Sequence, residues 1–142
     1  MIRILCLLSA ILFTALPVRA EQFINVGDLE IHYSSFPSTF LTPDVANTYR
    51  ISRSRYSAVV NIAVLDKSQE GKPAVRAVVS GTARNLLGTE KKLSFREIRE
   101  GEAIYYIAEL SHTNEERFRF IIDVTQNGTN GQINFDQTFY VD

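Results

Sequence analysis

The stretch RFRFIIDVTQNGTNGQINFDQTFYV, residues 117–141, decides the fold. In its first half Phe118, Phe120, Ile122 and Val124 fall on one side, and Arg117, Arg119, Ile121 and Asp123 on the other. A period of two puts successive side chains on opposite faces of an extended chain, so this half reads as a strand with one buried face. Asn127-Gly128 and Asn130-Gly131 then mark a hairpin, because Asn and Gly accept the positive φ that tight hairpin turns demand. The return strand QINFDQTFYV (132–141) carries Ile133, Phe135, Phe139 and Val141 on one side. A hairpin with one apolar face has to bury it against a second layer.

The same alternation runs back through the chain. QFINV (22–26) and LEIHYSSF (29–36) read as strands separated by Gly27-Asp28, and SAVVNIAVLD (57–66), apolar on both faces, as a central strand. VRAVVSGTARNL (75–86) sets Val75, Ala77, Val79 and Ala83 on one face. In KLSFREIRE (92–100) Leu93 and Phe95 alternate but Ile98 comes one residue late, which predicts a bulge. AIYYIAEL (103–110) follows Glu100-Gly101. About eight short strands predict an all-β, two-sheet antiparallel sandwich, immunoglobulin-like in architecture, with a closed barrel as the alternative.

One segment departs from the pattern: FLTPDVANTYRISRSR, residues 40–55. Thr42 suits an N-cap, Pro43 the first helical position and Asp44 the positive end of the helix dipole, predicting a single helical turn near 43–49. Val45, Ala46 and Tyr49 share one side of that turn, led by Phe40 and Leu41, and are expected to plug the open end of the sandwich. Beyond it Arg53 and Arg55 are two apart in extended chain and project together. Paired guanidiniums offer planar donor forks for a carboxylate or phosphate; the competing reading pairs them with acids such as Asp44 or Glu30. Tyr49, Arg53, Arg55 and His32 are therefore the candidate ligand-binding residues.

The first twenty residues, MIRILCLLSAILFTALPVRA, read as a cleavable signal peptide: an early Arg3, an apolar run from Ile4 to Leu16, then Pro17 and small residues before a cut between Ala20 and Glu21. Thirteen residues make about 20 Å of helix, short of the ~30 Å hydrocarbon core. Cys6, the only cysteine, precedes most of that run, which excludes a lipoprotein signal and leaves residues 21–142 cysteine-free. These residues are expected to form one β-sandwich domain, exported to a periplasm, with a core large enough to dispense with disulfides. Without Arg3 and Arg19, 13 basic residues face 16 acidic ones, a net of −3, which argues against a nucleic-acid footprint.

Catalytic and metal motifs are missing: there is no Gly-x-Ser-x-Gly, Gly-rich phosphate loop, His-Glu-x-x-His or paired-cysteine pattern. The two histidines read as a partly exposed strand residue, His32, and a solvated residue, His112, in the SHTNEE loop (111–116). Asp123 reads as the acid of a surface ion pair. No cofactor or metal is expected.

The segments IHYSSFPSTFLTPDVANTYRISRSR (31–55), VVNIAVLD (59–66), GTARNLLG (81–88) and FREIREGEAIYYIAEL (95–110) resemble domain of unknown function family 4426, small exported proteins of Gram-negative bacteria. FLTP and REIREGEAIYY are the most specific parts of the resemblance. It implies a periplasmic immunoglobulin-like sandwich and supplies no activity, substrate or catalytic residue. The expected function is a non-catalytic binding or interaction module, taking a small anionic ligand or an envelope protein. The alternatives are an assembly partner that pairs through an exposed sheet edge, such as the C-terminal strand, and an uncharacterised hydrolase.

Overall fold

The computed structural model describes residues 22–141; the leader-like segment and the Ala20–Glu21 junction lie outside the described residues. Among the described residues nine strands form two antiparallel sheets: β1 (Gln22–Val26), β2 (Leu29–Pro37), β3 (Ser57–Asp66), β4 (Val78–Asn85), β5 (Glu90–Leu93), β6 (Arg96–Glu100), β7 (Ala103–Ser111), β8 (Glu116–Gln126) and β9 (Thr129–Phe139). The five-stranded sheet runs β1-β2-β3-β7-β6 and the four-stranded sheet β5-β4-β8-β9, a sandwich and not a barrel. β3 is central in its sheet, as its two apolar faces require. No helix among the described residues is long and apolar enough to cross a membrane.

Phe118, Phe120, Ile122 and Val124 on β8 are fully buried, and Ile133 and Phe139 on β9 nearly so. They pack against Ile31, Val60, Ile62 and Val64 of the opposite sheet. Phe120 stacks on Phe135 at 4.7 Å, and Phe135 meets Tyr33 of the facing sheet at 5.0 Å. Polar bridges cross the interior too. The Tyr106 hydroxyl accepts from the Ala77 N–H at 2.8 Å, and burial pushes this phenol up. Gln137 on β9 donates to the Ser35 carbonyl at 3.1 Å and accepts from the Ser35 hydroxyl.

Several expectations need correction. The β8–β9 turn is Asn127-Gly128 alone, with φ of 46° and 78°, the pair of positive values a two-residue primed turn needs. Asn130-Gly131 lies inside β9, and a Cβ on Gly131 would come within 2.9 Å of Ile31 Cδ1, so close sheet packing explains this glycine. The ninth strand arises because 92–100 is not one bulged strand: β5 pairs with β4, the chain crosses at Ser94-Phe95, and β6 joins β7 in the other sheet. His112 is not solvated. It is buried against Phe139 at 5.2 Å, and its Nδ1 donates to the Thr113 carbonyl at 2.8 Å. Asp123 is hydrogen-bonded by Gln132, while Arg117 and Arg119 both pair with Asp136 at 3.1 Å.

Candidate functional site

The connection from β2 to β3 leaves the sandwich and returns. A 3₁₀ turn (Ser38–Phe40) leads into α1 (Pro43–Thr48), whose N-cap Thr42 accepts from the Val45 N–H at 3.3 Å. The helix ends in two interlocked bonds, Ile51 N–H to Ala46 O at 2.8 Å and Arg50 N–H to Asn47 O at 3.2 Å, with Arg50 left-handed at φ 56°. This is the Schellman arrangement, and its apolar contact is present as Ala46 and Ile51 in one cluster. Fully buried Ser38 ties the two ends of the excursion, with its hydroxyl 2.7 Å from that of Ser57 and donating to the Ser54 carbonyl at 2.9 Å.

The helix does not plug the end of the sandwich. Ala46 and Ile51 pack on Val59 and Ile107, which alternate with the inward Ala58, Val60, Tyr106 and Ala108, so α1 covers the outer face of the five-stranded sheet. That face is apolar because β3 and β7 carry aliphatic side chains on both sides, and water would otherwise wet it. Phe40, expected in the plug, points away and is 75% exposed; Leu41 takes its place in the cluster.

Two guanidiniums fasten the segment. Arg53 donates from Nε to the Leu41 carbonyl at 2.8 Å and from Nη2 to the Thr39 carbonyl at 3.3 Å. Arg96 on β6 donates to the Tyr49 carbonyl and to the Arg50 carbonyl at 3.1 Å. These are orphan carbonyls of the helix end and its approach, which have no partner within so short a helix.

Between α1 and the sheet lies a groove of about 360 Å³. Phe36, Val59 and Ile107 form its floor, Leu41, Val45 and Tyr49 one wall, Ile98 and Tyr105 the other. Asn61 on β3 and Glu100 at the end of β6 add its polar atoms. The Asn61 Oδ1 is buried and accepts no hydrogen bond among the described residues. A buried acceptor left without a donor costs roughly 1–3 kcal/mol. Glu100 is exposed and makes no ion pair among the described residues. A second hollow of about 200 Å³ on the same face shares Tyr105 and is bordered by His32, Ala63 and Leu65.

The four sequence candidates therefore separate. Tyr49 lines the groove and His32 the adjoining hollow, where it stacks on Phe23 at 5.1 Å and sits 3.4 Å from Glu30. Burial pushes the Glu30 carboxyl up, but hydrogen bonds from His32 and Lys72 and their charges outweigh it and hold it below its usual range. Arg53 braces the groove's wall from behind. Arg55 stands exposed in the turn before β3, with no hydrogen bond or ion pair among the described residues. Asn61, Ile98, Glu100 and Tyr105 escaped sequence reasoning. The available signal was the outward apolar set on β3 and β7, which a sandwich with a wetted outer face does not need.

The family described as Domain of unknown function (DUF4426) matches residues 23–142. The chain belongs to this family. A crystal structure of a DUF4426 family protein from Pseudomonas aeruginosa PAO1 aligns at TM-score 0.75 and 32% identity, over 88% of this chain and 98% of that one. Below that level the likeness is of fold alone. A copper-bound variant of FetP from uropathogenic Escherichia coli strain F11 gives TM-score 0.57 at 9% identity, over 84% and 95% of the two chains. FetP as isolated after expression in the E. coli periplasm gives 0.51 at 10%, over 84% and 91%. No curated protein matches this DUF4426 chain. Among its described residues no three His, Cys, Asp or Glu side chains cluster as metal ligands would.

Proposed function

We propose that this DUF4426 protein is a non-catalytic periplasmic binding module whose ligand seat is the groove between α1 and the outer sheet face. The periplasmic part rests on the leader pattern of residues 1–20, and the single domain of 21–142 goes with it. The observation that carries the binding reading is the groove itself, a mostly apolar concavity of about 360 Å³ between α1 and the sheet whose lining adds Asn61 and Glu100. Ligand sites are mostly apolar concavities of about 300–1,000 Å³ with a few placed polar groups, and this one fits that description. Tyr49 is a contact in this reading, His32 serves a ligand long enough to reach the second hollow, and Arg53 positions the wall.

Val45 tests it, because it lines the groove from the helix and is 39% exposed, leaving room for a larger side chain on the solvent side. The naphthylamine dye N-phenylnaphthylamine is expected to brighten on adding the wild-type protein. V45W, filling the groove, should lose at least about tenfold in dye affinity with its melting temperature nearly unchanged. Equal dye binding by V45W would place the ligand elsewhere.

A second reading, pairing through a free sheet edge, is favoured by β1. Its sequence QFINV holds no charge or proline, whereas the edge strands β5 (EKKL) and β6 (REIRE) are mostly charged, as guarded edges are. β9, the C-terminal strand, is also an edge of its sheet.

A further inference from the structure

Resting on that groove as the ligand seat, we infer that it takes an amphipathic amine: an apolar, preferably aromatic body carrying an ammonium group. Setting aside the two phenols of Tyr49 and Tyr105 and the Asn61 amide, which can donate or accept, the polar group at the groove is the Glu100 carboxylate, and it only accepts. A ligand that satisfies this carboxylate has to donate hydrogen bonds, and a positively charged donor suits it best.

Local charge agrees. Glu100 has no cationic partner among the described residues. Two guanidiniums of β6 are already used, Arg96 on the Tyr49 and Arg50 carbonyls and Arg99 3.7 Å from Glu97, while that of Arg50, between the groove residues Tyr49 and Ile51, is exposed and makes no ion pair among the described residues. An anionic ligand would meet an unpaired carboxylate at the rim, which repels it. This reverses the anion expected from Arg53 and Arg55 in sequence, since Arg53 directs its fork at the chain's own carbonyls. The lining adds a second attraction. Phe36, Tyr49 and Tyr105 border the same space, and the electron-rich faces of such rings attract ammonium groups where water is excluded.

Three probes of nearly equal shape separate the possibilities: phenylpropylamine, phenylpropanol and phenylpropanoate, titrated into the full mature chain and followed by amide chemical shifts. The amine is expected to shift resonances of residues 43–51, 59–61 and 98–107 and to bind about tenfold more tightly than the alcohol, with the acid weakest of the three. Glu100→Gln, at an exposed position, should reduce the amine's advantage over the alcohol to about twofold or less. Equal affinities for all three probes, or tightest binding by the acid, overturn the amine assignment while the groove remains a ligand seat. Failure of every probe to shift groove resonances overturns the groove reading itself, and the amine assignment with it.

Discussion

Arg50 holds its backbone at φ 56° to close the end of α1, a left-handed position that glycine adopts freely and arginine does not. Its carbonyl is used by Arg96, but its side chain is exposed and makes no hydrogen bond or ion pair among the described residues. Replacing it by glycine removes the steric cost and keeps both interlocked bonds, since these use only the backbone. Arg50→Gly is therefore expected to stabilise the fold by up to about 1 kcal/mol, raising the melting temperature by roughly 2–5 °C. Calorimetry that finds a lower melting temperature would mean the arginine side chain makes an interaction worth more than the strain. At this scale the sequence is a poor guide. Nothing in Asn-Thr-Tyr-Arg-Ile marks residue 50 as left-handed, because the usual sign, a glycine, is absent. Asn127-Gly128 announces its turn for the opposite reason.

At the scale of elements, α1 has six residues, far below what an isolated helix needs in water. It exists because Ala46 and Ile51 are buried on the sheet and because Arg53 and Arg96 hold carbonyls at its two ends. Arg96→Met keeps most of the side chain's packing and removes the donors. Hydrogen exchange should then accelerate about tenfold within residues 43–51, while the strands of the inner core keep their protection. Acceleration spread equally over β8 and β9 would contradict a local role. The capping signals Thr42 and Pro43 make the helix itself legible in the sequence, but they do not say where it packs. Alternation tells which face of a strand is apolar; it does not tell which sheet a strand joins or what covers an apolar outer face. The same ambiguity hides the crossover at Ser94-Phe95. Ile98 falls out of step with Leu93 because β6 belongs to the other sheet and turns Ile98 towards α1, on the outside. The groove is assembled from β2, β3, α1, β6 and β7, so no local pattern groups Asn61, Glu100 and Tyr105.

Over the whole molecule, carboxylates tie elements together at places far apart in the fold. Asp136 on β9 is held below its ordinary value of 3.8 by hydrogen bonds from Arg119 and Arg117 on β8. Asp66, at the end of β3, is lowered from 3.8 by the Ser68 and Gln69 side chains and the Ser68 amide. Burial pushes Glu116 up, but Asn85, Thr113 and Lys91 outweigh it and bring it below 4.5, as His32 and Lys72 do for Glu30. Each of these groups binds a proton less readily folded than unfolded. Their contribution is thus fully present above the ordinary values of 4.5 and 3.8 and is lost as pH falls through the lower folded values. None of the four shifts makes the fold more sensitive on the alkaline side. The midpoint of urea unfolding is expected to stay level from neutral pH down to about 5 and then to fall steeply towards pH 3. Asp136→Asn should flatten that fall, since the variant loses at neutral pH the ion pairs that the wild type loses only in acid. The two proteins should therefore converge in stability as pH falls through the lowered folded value of Asp136. A wild-type midpoint unchanged between pH 5 and 3 would show that these carboxylates carry no net stabilisation, and parallel curves for the two proteins would remove Asp136 from the set.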